Sequence, residues 1–219
     1  MFSILWDNDG ILVKTEGLYF QATQSVLSLV GIDILEQQFI EISLRRGESM
    51  LQLAEEKGLP PLKIATLRAE RNRLYSELLR TNECVIDGVH EAIARLHQHV
   101  RMGVVTSSRR EHFEIAHEKS GLLRFFDFVI TREDYEQSKP HPEPYLTALK
   151  QHNLQRKECI VIEDSERGLA AANAARLRCI VIPDEWTNHG NFVGAFKVLQ
   201  RVSDVPDEIF RLCQSHNES

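Results

Sequence analysis

Seven polar residues of this 219-residue chain have the types and places from which a reactive site can be built. Asp7 and Asp9 follow the apolar run at 2–6, within Asp7-Asn8-Asp9-Gly10. Thr106 and Ser107 follow a second run at 102–105, and Glu163 and Asp164 a third at 159–162. Lys139 lies in Ser138-Lys139-Pro140. Four carboxylates brought together would repel one another, and some would stay protonated. A hard divalent cation removes that conflict, and an all-oxygen donor set suits Mg²⁺. Lys139 adds a second positive charge. Thr106 and nearby backbone N–H groups could hold phosphate oxygens. A cation and a lysine around a carboxylate lower the anion–anion repulsion that opposes attack on a phosphoryl group. Catalysis of that kind is largely positioning and charge neutralisation.

The elements that must position these groups follow from periodicity. Short apolar runs at 2–6, 102–105, 126–130, 159–162 and 179–182 suit buried strands. Helical patterns at 88–99, 110–120, 144–152 and 168–175 alternate with them. That alternation predicts an α/β fold, a doubly wound, Rossmann-like parallel sheet covered on both faces. In such sheets ligands bind beyond the carboxyl ends of the strands, where three of the polar groups fall. Residues 15–82 read differently. Leu18, Ala22, Val26 and Val30 share a helix face, and further helical patches cover about 35–44, 50–57 and 62–80, with no convincing strand. Two domains are therefore expected: an α/β core of residues 1–14 and 83–219, and an all-helical insert of residues 15–82. The stretch beyond about Trp186 carries no clear pattern.

Composition narrows the function classes. Apolar residues make up 42% and charged residues 26% of the chain, as in ordinary globular proteins. The net charge of −6 and the absence of a basic run argue against a nucleic-acid partner. No apolar run reaches the roughly 18–20 residues of a membrane helix, so no membrane partner is expected. Cys84, Cys159, Cys179 and Cys213 show no CxxC spacing and imply a reducing, cytoplasmic setting. The opening residues lack the basic region of a secretory leader.

In content and order these four signatures resemble those of the haloacid dehalogenase superfamily, in its phosphatase and β-phosphoglucomutase-like branch. The matching stretches are Asp7-Asn8-Asp9-Gly10-Ile11-Leu12, Val104-Val105-Thr106-Ser107, Lys139-Pro140-His141-Pro142-Glu143-Pro144-Tyr145 and Val161-Ile162-Glu163-Asp164-Ser165, with Gly168 after the last. The insert resembles that family's small helical cap, and the likeness extends to about Pro183. The resemblance implies that Asp7 attacks phosphorus and forms an aspartyl-phosphate. It implies that Asp9 protonates the leaving oxygen and then activates water. Asp7, Asp164 and the Asp9 carbonyl would ligate Mg²⁺, with Glu163 bound directly or through water. Thr106 would bond the transferring group, and Lys139 would pair with Asp7 and the phosphate. Asp9 favours phosphate esters, because the dehalogenases need no acid there and the phosphonate-cleaving members carry a small residue. Cap and core would move about hinges near 13–16 and 82–87.

Other positions carry two readings each. Arg45, Arg46 and Gly47 sit where related caps place a substrate-facing loop, or they form a solvated helix end. Ser107 could hold phosphate or cap the next helix. Glu163-Asp164 could cap the Ala-rich helix instead. His112 and His117, five apart, face different sides of a helix and make no zinc pair. Asn8 and Lys14 depart from the family pattern. Tyr19 replaces the histidine that β-phosphoglucomutases carry at the matching cap position. These features together predict a Mg²⁺-dependent phosphatase acting on a small phosphorylated metabolite such as a sugar phosphate. A β-phosphoglucomutase-like isomerase and a non-catalytic binding protein of the same fold are the alternatives. The oligomeric state is open, with a monomer plausible.

Overall fold

The computed structural model describes residues 2–217. In chain order its elements are β1 (Ser3–Trp6), α1 (Glu16–Ser28), α2 (Glu36–Phe39), α3 (Gln52–Glu56), α4 (Pro61–Thr81), α5 (Val89–Leu96), β2 (Arg101–Val105), α6 (Arg110–His117), β3 (Phe128–Ile130), α7 (Glu143–Gln151), β4 (Cys159–Glu163), α8 (Glu166–Ala174), β5 (Arg178–Val181), β6 (Lys197–Val198) and α9 (Val205–Asn217). Contacts divide the chain into two units, Met1–Lys14 with Val85–Ser219, and Thr15–Cys84.

The first unit is built on a six-stranded parallel sheet of order β3-β2-β1-β4-β5-β6. The chain moves outward from β1 through β2 to β3, then crosses back to β4 on the other side. That reversal makes the carboxyl ends of β1, β2 and β4 the crevice of the sheet. Alternate residues of each strand enter two separate cores. Ile4, Trp6, Met102, Val104, Ile160 and Ile162 pack with Ile93 and Leu96 of α5 and Ile209 of α9. Leu5, Val105, Val161 and Cys179 pack with Tyr145 and Ala148 of α7 and Leu169 and Ala172 of α8. Burial on both faces explains why these strands read as unbroken apolar runs. Each large side chain so buried contributes about 1.5–3 kcal/mol.

The second unit holds α1 to α4, and no described residue in it forms a strand. Ala22 and Val26 of α1 are buried. The helix expected at 35–44 changes type partway: α2 ends at Phe39 and a wider π-turn runs over Ile40–Arg45. Beyond Trp186, β6 extends the sheet edge and α9 returns to cover it. Two residues are too few for strand periodicity to show, which is why β6 left no trace in the sequence. No helix among the described residues is long and apolar enough to cross a membrane.

Candidate active site

The sheet register puts the chemistry on one rung. Trp6 pairs with Val104 on one side and Ile162 on the other. One residue further on, Asp7 stands level with Val105 and Glu163. The Asp7 N–H still donates to Ile162 O at 2.9 Å, so the nucleophile candidate is anchored by the sheet before the chain turns.

Lys139 reaches this rung from the segment before α7. Its ammonium donates to Asp7 Oδ1 at 2.8 Å, Val105 O at 2.9 Å and Glu163 Oε1 at 2.7 Å. An ammonium has three protons, so all are committed. Lys139 is buried, not a solvated loop lysine. Burial opposes its charge, but the carboxylates of Asp7 and Glu163 outweigh that and hold its pKa above the ordinary lysine value. Arg167 of α8 fixes the lysine's own backbone, donating Nε and Nη2 to Lys139 O at 3.1 and 2.8 Å.

Glu163 is saturated. Its Oε1 accepts from Lys139 and from Tyr145 Oη at 2.6 Å. Its Oε2 accepts from Asp164 N–H and Ser165 Oγ, each at 3.2 Å. Burial raises its pKa, yet Lys139 and these hydrogen bonds bring the net shift below the ordinary value. Asp7 shifts the other way, raised to about 7 by burial and by the charge of Glu163, against the opposing pull of Lys139. One oxygen of Asp7 is held by Lys139, and Oδ2 remains for other work.

Asp9 receives Ser108 Oγ at 2.7 Å and Thr106 Oγ1 at 3.3 Å on the same oxygen, Oδ2. Thr106 Oγ1 in turn accepts the Ser108 N–H at 2.9 Å. The fully buried Thr106 therefore organises its own loop as well as facing Asp9. Gly10 follows with φ +77, and a Cβ there would lie 2.6 Å from Asp164 Oδ2. Glycine is needed both for the backbone conformation and for the approach of Asp164. Oxygens of Asp7, Glu163 and Asp164 all lie within 4.8 Å of one another. A buried, all-oxygen cluster with a glycine cradle beside it fits a hard divalent cation.

Two alternative capping readings are set aside. Ser107 does not cap α6, whose N-cap position is Arg109 with no side-chain bond. Nor do Glu163 and Asp164 cap α8: Ser165 Oγ accepts the Gly168 N–H at 3.2 Å. Glu163 turns back into the site instead, where four donors wait. Arg45, Arg46 and Gly47 belong to the second unit. Arg45 pairs with Glu41 at 3.3 Å, Arg46 with Glu48 at 3.2 Å, and Gly47 has φ +71. Ser108, Tyr145 and Arg167 escaped the sequence reading as site residues. Tyr145 was visible only as the end of the lysine signature. Ser108 and Arg167 fall just beyond quoted motifs, and nothing in their spacing distinguishes them from solvated positions.

Comparison with known proteins agrees with this geometry. Protein CbbY of Cereibacter sphaeroides is 28% identical over 214 residues, 93% of each chain. A phosphorylated carbohydrates phosphatase of Thermotoga maritima is 30% identical over 187 residues, 82% of this chain and 84% of that protein. The crystal structure of CbbY from Rhodobacter sphaeroides with phosphate superposes with a TM-score of 0.81 at 26% identity, covering 94% of this chain and 96% of that one. The family of haloacid dehalogenase-like hydrolases matches residues 4–182, which span every group described above. With its parallel sheet, three signatures on the strand ends and the lysine signature leading into α7, the chain belongs to the haloacid dehalogenase-like hydrolases.

Proposed function

We propose that the chain is a phosphoric monoester hydrolase that removes phosphate from a small phosphorylated metabolite of the sugar-phosphate class. The observation that carries this reading is the Lys139 ammonium set between Asp7 and Glu163, with Asp9 held on the adjacent turn. Asp7 Oδ2 attacks phosphorus, and the P–O bond to the alcohol breaks. Asp9 gives its proton to the departing oxygen. The aspartyl-phosphate is then cleaved by water, whose proton Asp9 accepts, releasing inorganic phosphate and restoring Asp7. Lys139 favours the ionised form of Asp7 against burial and the charge of Glu163 and offsets charge on the approaching ester.

The cofactor proposed is Mg²⁺, held by Asp7, Asp164 and the Asp9 backbone carbonyl. When bound it supplies positive charge that neutralises the phosphoryl oxygens. Glu163 supports Lys139 in this scheme, since its oxygens already accept four hydrogen bonds. We assign residues 15–82 the part of the family's helical cap, with Arg45, Arg46 and Gly47 as its candidates to bind the organic part or a second anionic group of the substrate. Four cysteines that form no disulfide with one another suit a reducing, cytoplasmic setting.

Tyr19 favours hydrolysis over isomerisation. Its ring packs edge-on to Tyr75 at 5.1 Å and tilted to Phe39 at 6.1 Å, with the Arg71 guanidinium 4.9 Å above it. It serves as an aromatic platform and offers no imidazole to relay a proton. The test is a panel of sugar phosphates incubated with Mg²⁺. Free phosphate released by the wild type and lost in Asp7→Asn supports the reading. Conversion of β-glucose 1-phosphate to the 6-phosphate without free phosphate would replace it with the isomerase. Identical inactivity of both proteins on every ester would favour a binding protein.

A further inference from the structure

Asn8 stands between the two aspartates of the turn and is only 1% exposed. A carboxamide at that depth needs a partner. It has one 109 residues away in sequence: His117 Nε2, in the last turn of α6, donates to Asn8 Oδ1 at 2.7 Å. The other ring nitrogen lies 3.1 Å from Ser120 Oγ, which also accepts the Leu122 N–H at 3.1 Å. Phe113 packs against the imidazole, with ring centroids 4.6 Å apart. The ring is thus held on both nitrogens and on its face.

The backbone of Asn8 carries the turn itself. Its carbonyl accepts N–H groups from Ile11 at 3.3 Å, Leu12 at 2.8 Å and Val13 at 3.1 Å. One residue therefore joins the loop that closes after Asp9 to a side-chain bond with α6. An apolar residue at position 8 would fill the same space without a preferred direction. An N–H···O bond fixes both distance and angle.

We propose that His117 is a positioning residue, which acts through Asn8 to hold the Asp7-Asn8-Asp9 turn in the geometry that phosphoryl transfer requires. Its kinetic consequence rests on the phosphatase reading above; its structural consequence does not. Displacing a reacting group by about 1 Å can cost on the order of a hundredfold in rate, so a small loosening of this turn is enough to be measured.

The experiment compares full-length wild type, His117→Phe and His117→Gln. Phenylalanine keeps the bulk and removes the donor, whereas glutamine restores an N–H. Amide hydrogen exchange at Ile11, Leu12 and Val13 reports the turn directly, and kcat and KM are measured on the best ester. In His117→Phe, exchange at these amides accelerates about tenfold and kcat falls about tenfold, with KM within about twofold. His117→Gln recovers protection and kcat even where its melting temperature stays low. Unchanged exchange at the three amides overturns the proposal. So does a folded His117→Phe with wild-type kcat, or a His117→Gln no better than the phenylalanine variant. If the wild type releases no Asp7-dependent phosphate, the phosphatase reading fails separately, and the exchange data decide the role of His117 alone.

Discussion

Gly168 leaves the space that the Glu163 carboxylate occupies: a Cβ at position 168 would lie 1.8 Å from the carboxylate carbon and within 2.0 Å of both oxygens. Glu163 can meet Lys139, Tyr145, Ser165 and the Asp164 N–H together only because α8 presents no side chain there. Helix propensity alone favours alanine over glycine by about 1 kcal/mol. The contact is much too short for that gain to prevail. Gly168→Ala is expected to lower stability, by about 1–3 kcal/mol as in other overpacked cores. It should also lower kcat by about a hundredfold as Glu163 releases Lys139. Denaturant unfolding together with phosphate release checks both. A stabilised, fully active Gly168→Ala would show that Glu163 can move away without consequence.

Lys139 is the cation between two buried carboxylates. Lys139→Met leaves Asp7 and Glu163 facing each other without it, and one of them takes up a proton. Loss of one partner from a buried ion pair costs about 3–5 kcal/mol. Because Asp7 must be ionised to attack, kcat should drop by about a thousandfold or more. Steady-state kinetics of the folded variant is the check, and a drop of less than about threefold would remove Lys139 from the mechanism.

Asp7 gives a stability signature of defined sign. Its folded-state pKa of about 7 lies above its ordinary 3.8. Between those values the folded chain binds more protons than the unfolded chain, so the Asp7 contribution falls as pH rises from about 4 to about 7. Asp7→Asn removes that loss. In EDTA at pH 8 the variant should melt about 5 °C above wild type, and the gap should close as pH falls toward 4. Added Mg²⁺ should raise the melting temperature of the wild type more than that of the variant. Calorimetry across this range tests both points; a gap that does not change with pH would contradict them.

His117 gives the opposite slope. Burial lowers its pKa to about 4 from 6.5, against the opposing charge of Asp9. Its contribution is fully present above pH 6.5 and declines as pH falls toward 4, where the unfolded chain binds the proton and the folded chain does not. Two and a half pKa units correspond to roughly 3 kcal/mol. Wild type should therefore lose that much more stability than His117→Gln between pH 7 and pH 4. Parallel stability curves for the two proteins in urea would show that the ring is protonated in the folded state.

Much of the fold was legible because sheet burial on both faces writes itself into the chain as short apolar runs, and parallel connections write themselves as intervening helices. The runs at 2–6, 102–105 and 159–162 each end in the polar residues that the sheet edge exposes to the crevice. Where the pattern was too short, as at Lys197–Val198, or where helix geometry widened, as over Ile40–Arg45, local periodicity had nothing to report.

By itself the sequence determined which residue types stand at the strand ends, Asp7 and Asp9, Thr106, Glu163 and Asp164, with Gly10 and Gly168 beside them, and that Lys139 precedes a helix. Tertiary structure alone decided what each does to its neighbours. Glu163 reads as a helix cap as readily as a site carboxylate until Lys139 and three other donors are found around it. Asn8 reads as a misplaced polar residue until α6 brings His117 to 2.7 Å. Hydrogen bonds act over about 3 Å of space, and packing sets that distance between residues a hundred positions apart. Spacing along the chain carries no record of it.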